Sequence, residues 1–179
     1  MEWNVLVTVQ PGAGHERQLL GALAQFGRFR ATAFRDVCIG RVEDVDKVLQ
    51  AIRLAAEAKK PWTVHLGRVI PVETTFSFTV ETLGECLKRA AAPFVERMTS
   101  GSFHVRLERR GFEGRIRSQV VEQEVAGHLF EIATRQGKTL RTEFDDPDYI
   151  VVAETLGEEC GVALLTRDIR SRYPFVQSR

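Results

Sequence analysis

The sequence predicts an α+β fold, and three observations support this class. Short apolar segments of strand length and longer segments with apolar residues every three or four positions both recur along the chain. Their order does not repeat one strand-helix unit, as a parallel α/β sheet would require. With 179 residues, of which 44% are hydrophobic and 27% charged, the chain has the size and composition of a globular protein with one or two cores.

The first part of the chain, residues 1–74, is predicted to form a small domain of four strands and two helices. The predicted strands are residues 3–9, 29–33, 37–42 and 62–70. One helix carries Leu19, Leu20, Leu23 and Phe26 on its inner face, and the other carries Val45, Val48, Leu49 and Ile52. The order β-α-β-β-α-β is that of the ferredoxin-like split motif.

The second part, residues 75–179, is predicted to have the order α-α-β-α-β-β. Its first helix should break at Pro93, because proline cannot donate a backbone hydrogen bond inside a helix, and a second short helical piece follows. The remaining elements are a strand and a helix within residues 102–134 and two apolar strands at 149–153 and 161–165.

Residues 102–134 are the most informative stretch of the second part. Phe103, Val105 and Leu107 alternate with His104, Arg106 and Glu108, which indicates a strand with one buried face. Val121, Val125, Leu129 and Ile132 then recur at helical spacing. Ser118 precedes this stripe and is a favourable N-cap residue. We expect the helix to pack its stripe against the apolar face of the strand.

A basic patch surrounds this strand and helix, although the whole chain has a net charge of only +1. Between Cys86 and Arg117, eight basic residues stand against three acidic ones. The basic residues are Lys88, Arg89, Arg97, Arg106, Arg109, Arg110, Arg115 and Arg117. The arginine side chain presents a planar fork of donors that suits phosphate, so the patch favours anion binding. The alternative interpretation is that these cations only solvate a surface.

A glycine-rich segment and an acidic segment are each predicted to be an ordinary turn. Gly12-Ala13-Gly14 follows a strand as a dinucleotide-binding turn would, but the third glycine of that fingerprint would fall at Arg17. The acidic segment 145–148 does not fit an EF-hand, and acidic residues beside proline are common in turns. No metal site is therefore predicted.

No catalytic constellation is visible in the sequence. It contains no P-loop, zinc motif or nucleophile elbow, and His65, His104 and His128 are each isolated. The three cysteines Cys38, Cys86 and Cys160 have no metal-ligand spacing and are interpreted as buried apolar residues. The sequence therefore predicts no catalytic residue and no cofactor. Without a signal peptide or a membrane-spanning run, a cytoplasmic location is expected.

The second part resembles a THUMP domain. The resemblance rests on Ser102-Phe103-His104-Val105-Arg106-Leu107-Glu108-Arg109-Arg110-Gly111, on the helix from Ser118, on Asp146-Pro147-Asp148-Tyr149-Ile150-Val151-Val152-Ala153-Glu154 and on Gly161-Val162-Ala163-Leu164-Leu165. THUMP domains typically follow a ferredoxin-like domain and bind RNA, mostly tRNA near its acceptor stem and 3′ end. The resemblance therefore implies that this chain is a tRNA-binding protein involved in tRNA modification.

The chain is most similar to the stand-alone THUMP proteins that serve as tRNA-binding adaptors for an acetyltransferase. Arg68-Val69-Ile70-Pro71-Val72 also resembles that group. The resemblance implies a non-catalytic adaptor, not an enzyme, with tRNA and an acetyltransferase-like enzyme as partners and neither DNA nor a membrane. Arg68 joins the eight basic residues above as a predicted RNA-binding residue. The alternative is a protein-interaction scaffold that hardly touches RNA.

Arg109 and Arg110 give the most specific expectation. They stand where the outward face of the strand meets the loop, so at least one of the two side chains should project from the core. Replacing both by alanine should then weaken tRNA binding and leave the melting curve almost unchanged.

Overall fold

The computed structural model describes residues 2–178, and these form two compact units. The first unit contains the residues up to Val72 together with Ile169–Gln177, and Glu73–Asp168 make up most of the second. Each unit has its own sheet, so the α+β class is confirmed. Within the described residues, no helix combines the length and the apolar character needed to cross a membrane.

The first unit contains a four-stranded antiparallel sheet. Its elements are β1 (Val5–Val9), α1 (His15–Leu23), β2 (Arg28–Ala31), β3 (Val37–Arg41), α2 (Val45–Glu57) and β4 (Leu66–Pro71). The strand order is β2-β3-β1-β4, which confirms the predicted β-α-β-β-α-β succession. Leu19 and Leu23 of α1 and Leu49 and Ile52 of α2 are buried, as the helical spacing predicts.

Two local predictions for this unit have different outcomes. Residues 62–65 are not a strand, because Pro61 starts a 3₁₀ helix, Pro61–His65, and β4 begins only after it. The turn interpretation of Gly12-Ala13-Gly14 agrees with the structure, since both neighbours of β1 are antiparallel to it. A Cβ atom on Gly12 would lie 2.1 Å from the His15 ring, so this glycine makes room for a side chain.

The second unit contains a five-stranded mixed sheet. Its elements are β5 (Thr74–Ser77), α3 (Leu83–Ala91), a 3₁₀ helix (Ala92–Arg97), β6 (Gly101–Glu108), α4 (Ser118–Arg135), β7 (Leu140–Thr142), β8 (Tyr149–Leu156) and β9 (Glu159–Thr166). The strand order is β5-β9-β8-β6-β7, in which β6 is parallel to both of its neighbours. The predicted α-α-β-α-β-β succession is present, with Pro93 inside the 3₁₀ helix and with the short strands β5 and β7 added.

The core of this unit lies between α4 and β6, as the sequence predicts. Val125 and Leu129 of α4 are buried in one cluster with Phe103, Val105 and Leu107 of β6. The other two stripe residues, Val121 and Ile132, are partly buried at its margin. The opposite face of β6 is less exposed than expected, because His104 is also buried.

A short helix, α5 (Arg167–Arg172), follows β9 and was not predicted. After it the chain returns to the first unit, where the backbone N–H of Val69 in β4 donates a hydrogen bond of 2.9 Å to the carbonyl oxygen of Phe175. Tyr173 and Val176 are buried there. The first unit is therefore completed by a segment that lies almost a hundred residues further along the chain than β4.

Candidate nucleic-acid interface

The connection from β6 to α4 is a tightly folded loop that points arginines outward. Gly111, Phe112 and Gly114 all have left-handed backbone conformations, with φ of 93°, 51° and 75°. Glycine adopts this region without strain, which explains two of the three positions. Phe112 packs against the core, with its ring centroid 5.8 Å from that of Phe78, and Ile116 is buried. The loop is thus anchored by apolar side chains.

Arg115 and Arg117 lie on the outside of this anchored loop and are exposed. The guanidinium of Arg115 lies over the Phe112 ring, 5.6 Å from its centroid. In the part of the chain that the structure describes, neither arginine forms an ion pair with a carboxylate, and the same holds for Arg89 on α3. These three cations are therefore available to an external anion.

The start of α4 differs from the sequence prediction. Ser118 is the first helical residue, and Arg117 occupies the N-cap position without a side-chain hydrogen bond to the helix. The predicted capping role of Ser118 is therefore wrong. The first-turn N–H groups of an α-helix carry partial positive charge, which adds to the charge of Arg115 and Arg117 at this end of α4.

Two of the predicted cations are already engaged with exposed carboxylates. Lys88 Nζ donates to Glu85 Oε1 at 2.9 Å, and this hydrogen bond lowers the pKa of Glu85 below its ordinary value. Arg97 Nη2 lies 2.9 and 2.8 Å from the two carboxylate oxygens of Glu73. Exposed pairs of this kind contribute little stability, so both cations can exchange partners at small cost.

Arg106 and Arg109 lie beside a groove between β6 and α4. Arg106 Nε is 3.5 Å from Glu108 Oε1, and Arg109 Nη1 donates to the carbonyl oxygen of Gly111 at 2.6 Å. Both side chains remain partly exposed. Four predicted residues thus lie at or beside the β6–α4 connection, but in two places. Arg106 and Arg109 line the groove, whereas Arg115 and Arg117 line a separate depression that also contains Glu81, Glu85 and Glu124.

Arg110 and Arg68 do not belong to this surface. Arg110 Nη1 lies 2.5 Å from Glu154 Oε2, and the side chains are 15% and 0% exposed. Its backbone N–H also donates to Thr155 Oγ1 at 2.8 Å. Arg68 is 6% exposed, and its Nη1 donates to the carbonyl oxygen of Gln177 at 3.3 Å. Both guanidinium groups bind inside the protein, which removes the reason for expecting them to bind RNA.

The groove itself has a volume of about 920 Å³. Its floor is β6, one wall is the first three turns of α4, and Phe144 stands at the rim. Glu122 of α4 reaches into it, and its Oε1 accepts a 2.8 Å hydrogen bond from the Leu107 backbone N–H. Phe144 is 72% exposed, and its ring stacks on His104 at 5.5 Å between centroids.

Sequence reasoning missed Phe144 because it sought cations only. The residue stands between Glu143 and Asp145 in a polar segment, where an isolated phenylalanine was the available signal. Its contact with His104 joins segments forty positions apart, which a sequence pattern of helices and strands does not reveal.

The acidic turn beyond Phe144 has structural partners. Asp148 Oδ2 accepts hydrogen bonds from the backbone N–H and the hydroxyl of Ser102, at 2.8 and 3.0 Å, and these bonds lower the pKa of Asp148. Arg167 contacts both Asp146 and Asp148, at 2.5 and 3.3 Å. Among residues 2–178, no group of three or more His, Cys, Asp or Glu side chains could hold a metal ion.

Two of the three cysteines fit the predicted role of buried apolar residues, whereas Cys86 is only partly buried. Cys38 and Cys160 are buried, and burial raises the pKa of the Cys38 thiol to about 12. Burial also raises the pKa of Cys160 far above its ordinary value. Both thiols therefore stay protonated at neutral pH, as expected of buried apolar residues.

Known proteins match this chain through structure and not through sequence. No protein-family model and no curated protein sequence matches it. TrmN from Thermus thermophilus matches 91% of the chain with 20% identity and a TM-score of 0.64, and 45% of TrmN is covered. A 4-thiouridine synthetase, solved as an RNA complex with bound ATP, matches 92% with 13% identity and a TM-score of 0.59, and 41% of it is covered. PH1313 from Pyrococcus horikoshii Ot3 matches 92% with 12% identity and a TM-score of 0.62, and 54% of it is covered.

These comparisons correct the prediction that the chain is not an enzyme. The 4-thiouridine synthetase is an enzyme, and a structure from Clostridium difficile 630 with a TM-score of 0.54 is described as a possible methylase. Proteins with this fold thus include enzymes, so the fold and the missing motifs give no ground for excluding catalysis. The chain spans about half of the length of the structures that it matches.

At identities of 20% or less, the likeness concerns the fold alone. The chain therefore has the α+β fold predicted from its sequence and shares its fold with TrmN and with the RNA-bound 4-thiouridine synthetase.

Proposed function

We propose that this chain binds tRNA for tRNA modification, and that the arginines around the β6–α4 connection hold the RNA backbone. The observation that carries the proposal is the exposure of Arg115 and Arg117 on an anchored loop, without a carboxylate partner among the described residues. A guanidinium group binds phosphate through paired hydrogen bonds, and an anchored loop presents it with little loss of entropy on binding. Arg89, Arg106 and Arg109 extend this surface, and Lys88 and Arg97 are its secondary contacts.

The comparisons support an RNA ligand in particular. One of the matched structures is a 4-thiouridine synthetase bound to RNA. The sequence resemblance to THUMP domains points to the same ligand, and to the acceptor-stem region of tRNA within it. We assign the binding step to this chain. The matched structures associate the fold with thiouridine synthesis and methylation, whereas the acetyltransferase partner is a prediction from the sequence resemblance only.

The test is tRNA binding by two double variants that remove the same formal charge. Arg115→Ala with Arg117→Ala should lower the affinity about tenfold, because two backbone contacts are lost. Arg17→Ala with Arg135→Ala removes two exposed arginines from α1 and from the far end of α4, and serves as the matched control. It should bind almost as the unchanged protein does. Fluorescence anisotropy with a labelled tRNA at fixed salt measures both affinities.

Two results would contradict the proposal. Equal losses in both double variants would show that only the total charge matters and that the β6–α4 surface has no special role. A protein that binds no tRNA at low salt would not be an RNA-binding unit at all. If a tRNA-modifying enzyme were then recovered with the chain after ribonuclease treatment, the scaffold alternative would be favoured.

A further inference from the structure

Phe144 is an aromatic residue that the fold leaves exposed to solvent. The residue is 72% exposed, and its ring stacks on His104 with an angle of 28° between the ring planes. His104 is buried, and its Nδ1 lies 2.9 Å from the carbonyl oxygen of Glu143, the residue before Phe144. One face of the phenylalanine ring is therefore backed by a fixed imidazole, while its remaining surface is open at the rim of the groove.

Each charged side chain that lines the groove already has a partner within the protein. Glu108 is near Arg106, and Glu122 accepts the hydrogen bond from the Leu107 backbone N–H. Arg109 donates to the Gly111 carbonyl oxygen. The interior thus offers an aromatic ring and peptide groups with little net charge, while Arg115 and Arg117 stand outside it on the loop. This division suits a ligand with a flat, uncharged part and an anionic part.

The edge of β6 adds hydrogen-bonding groups to the groove. Strand β7 pairs with Gly101–Phe103, and within residues 2–178 no strand pairs with this edge of β6 from His104 onward. Backbone groups of alternate residues point to the same edge of a strand, and Phe103 and Leu107 both point to this one. The N–H and C=O of Val105 therefore face the groove as well. A planar group with donors and acceptors along its rim could bind there.

From these features we propose that the groove between β6 and α4 binds one unpaired nucleotide of RNA, with its base stacked on Phe144. Unstacked bases are commonly recognised on aromatic side chains, and their edges by hydrogen bonds. Inside a duplex, a base is stacked on both faces and paired along its Watson–Crick edge, so neither a face nor that edge is free for the groove. The inference rests on the proposed function, which supplies the phosphate contacts on the arginines at the β6–α4 connection.

The experiment uses a short single-stranded RNA that carries 2-aminopurine as a fluorescent base. Phe144→Ala should lower the affinity about 5- to 150-fold, which is the effect of losing one base–aromatic stack. Phe144→Trp keeps a ring and should bind close to the unchanged protein. Val64→Ala removes another exposed apolar side chain, 70% exposed in the first unit, and should have no effect. Quenching of 2-aminopurine should occur with the unchanged protein and disappear with Phe144→Ala.

An RNA with abasic positions separates stacking from backbone binding. The unchanged protein should bind it more weakly, and Phe144→Ala should cause no additional loss. Full affinity and quenching in Phe144→Ala would overturn the inference, even if Arg115→Ala with Arg117→Ala still lost binding. Equal affinity for the single strand and for the same sequence in a duplex would also overturn it. Loss in the arginine variant without loss in Phe144→Ala leaves the proposed function intact, so the two failures are distinguishable.

Discussion

Arg110 and Arg115 lie five positions apart in the same loop and have opposite environments. The guanidinium of Arg110 is held against the buried carboxylate of Glu154, whereas that of Arg115 is exposed over an aromatic ring. A buried ion pair makes its members costly to remove one at a time, because the remaining charge stays in a medium of low polarity. An exposed cation has no such cost.

Arg110→Ala is therefore expected to destabilise the protein by about 3–5 kcal/mol. Arg115→Ala should change the free energy of unfolding by less than about 0.5 kcal/mol. Denaturant melts of the two variants measure both values. The expected destabilisation by Arg110→Ala replaces the earlier expectation that replacing Arg109 and Arg110 together leaves the melting curve almost unchanged. A melt of Arg110→Ala that matches the unchanged protein would show that the pair with Glu154 adds nothing to stability.

Asp148 gives a pH-dependent prediction. Hydrogen bonds from Ser102, and then Arg167, lower its pKa in the folded protein relative to the unfolded chain. The stabilisation is fully present above the unfolded pKa of about 3.9 and is lost as the pH falls through the lower folded value. Asp148→Asn should remove this part of the acid dependence. Thermal melts of both proteins between about pH 5 and pH 2 should converge at the acid end, and parallel curves would contradict the assignment.

At the scale of single elements, helix α4 is the element whose buried side the sequence pattern predicts most clearly. Its apolar stripe predicts the buried side, and Leu129 is 0% exposed within the cluster that contains Phe103. Leu129→Ala should cost about 2–5 kcal/mol through lost burial and a residual cavity. A Gln123→Ala variant on the exposed side of the same helix is the control and should cost almost nothing. A similar midpoint for both variants in urea would mean that the helix does not pack as described.

The elements that sequence reasoning missed lack a periodic signal of their own. Strand β7 has three residues, too few for alternation to be visible, and its pairing with β6 depends on residues 39 positions away in the sequence. Residues 62–65 have strand-like composition, but Pro61 fixes the backbone for a helical start. Helix α5 is polar and short, with no buried residue to mark one side.

The candidate site, like the fold, could be predicted from the sequence only in part. The arginines of the β6–α4 connection could be predicted, because a strand and a helix of clear pattern bracket them. Which arginines face solvent could not, since the partner of Arg110 is on β8. The groove is equally a product of tertiary structure, because its wall, floor and rim come from α4, β6 and the segment after β7.

For the whole molecule, the binding prediction concerns salt. With Arg68 and Arg110 engaged inside the protein, about three to five phosphate contacts remain for the exposed cations. The logarithm of the affinity should therefore fall against the logarithm of the salt concentration with a slope of roughly −2 to −4.5, at about −0.7 to −0.9 per phosphate. Arg115→Ala with Arg117→Ala should make the slope less negative by about one to two. A slope near zero for the unchanged protein would exclude backbone recognition.

The return of Ile169–Gln177 to the first unit also determines when that unit can finish folding. A ribosome synthesises these residues after Glu73–Asp168. Until then β4 lacks its hydrogen bond to Phe175, and Val176 is absent from its buried position. The second unit, by contrast, has nearly all of its residues once Asp168 has emerged. Although domains generally fold in the order of synthesis, here the N-terminal unit acquires its full set of native contacts only after nearly all of the second unit has been synthesised.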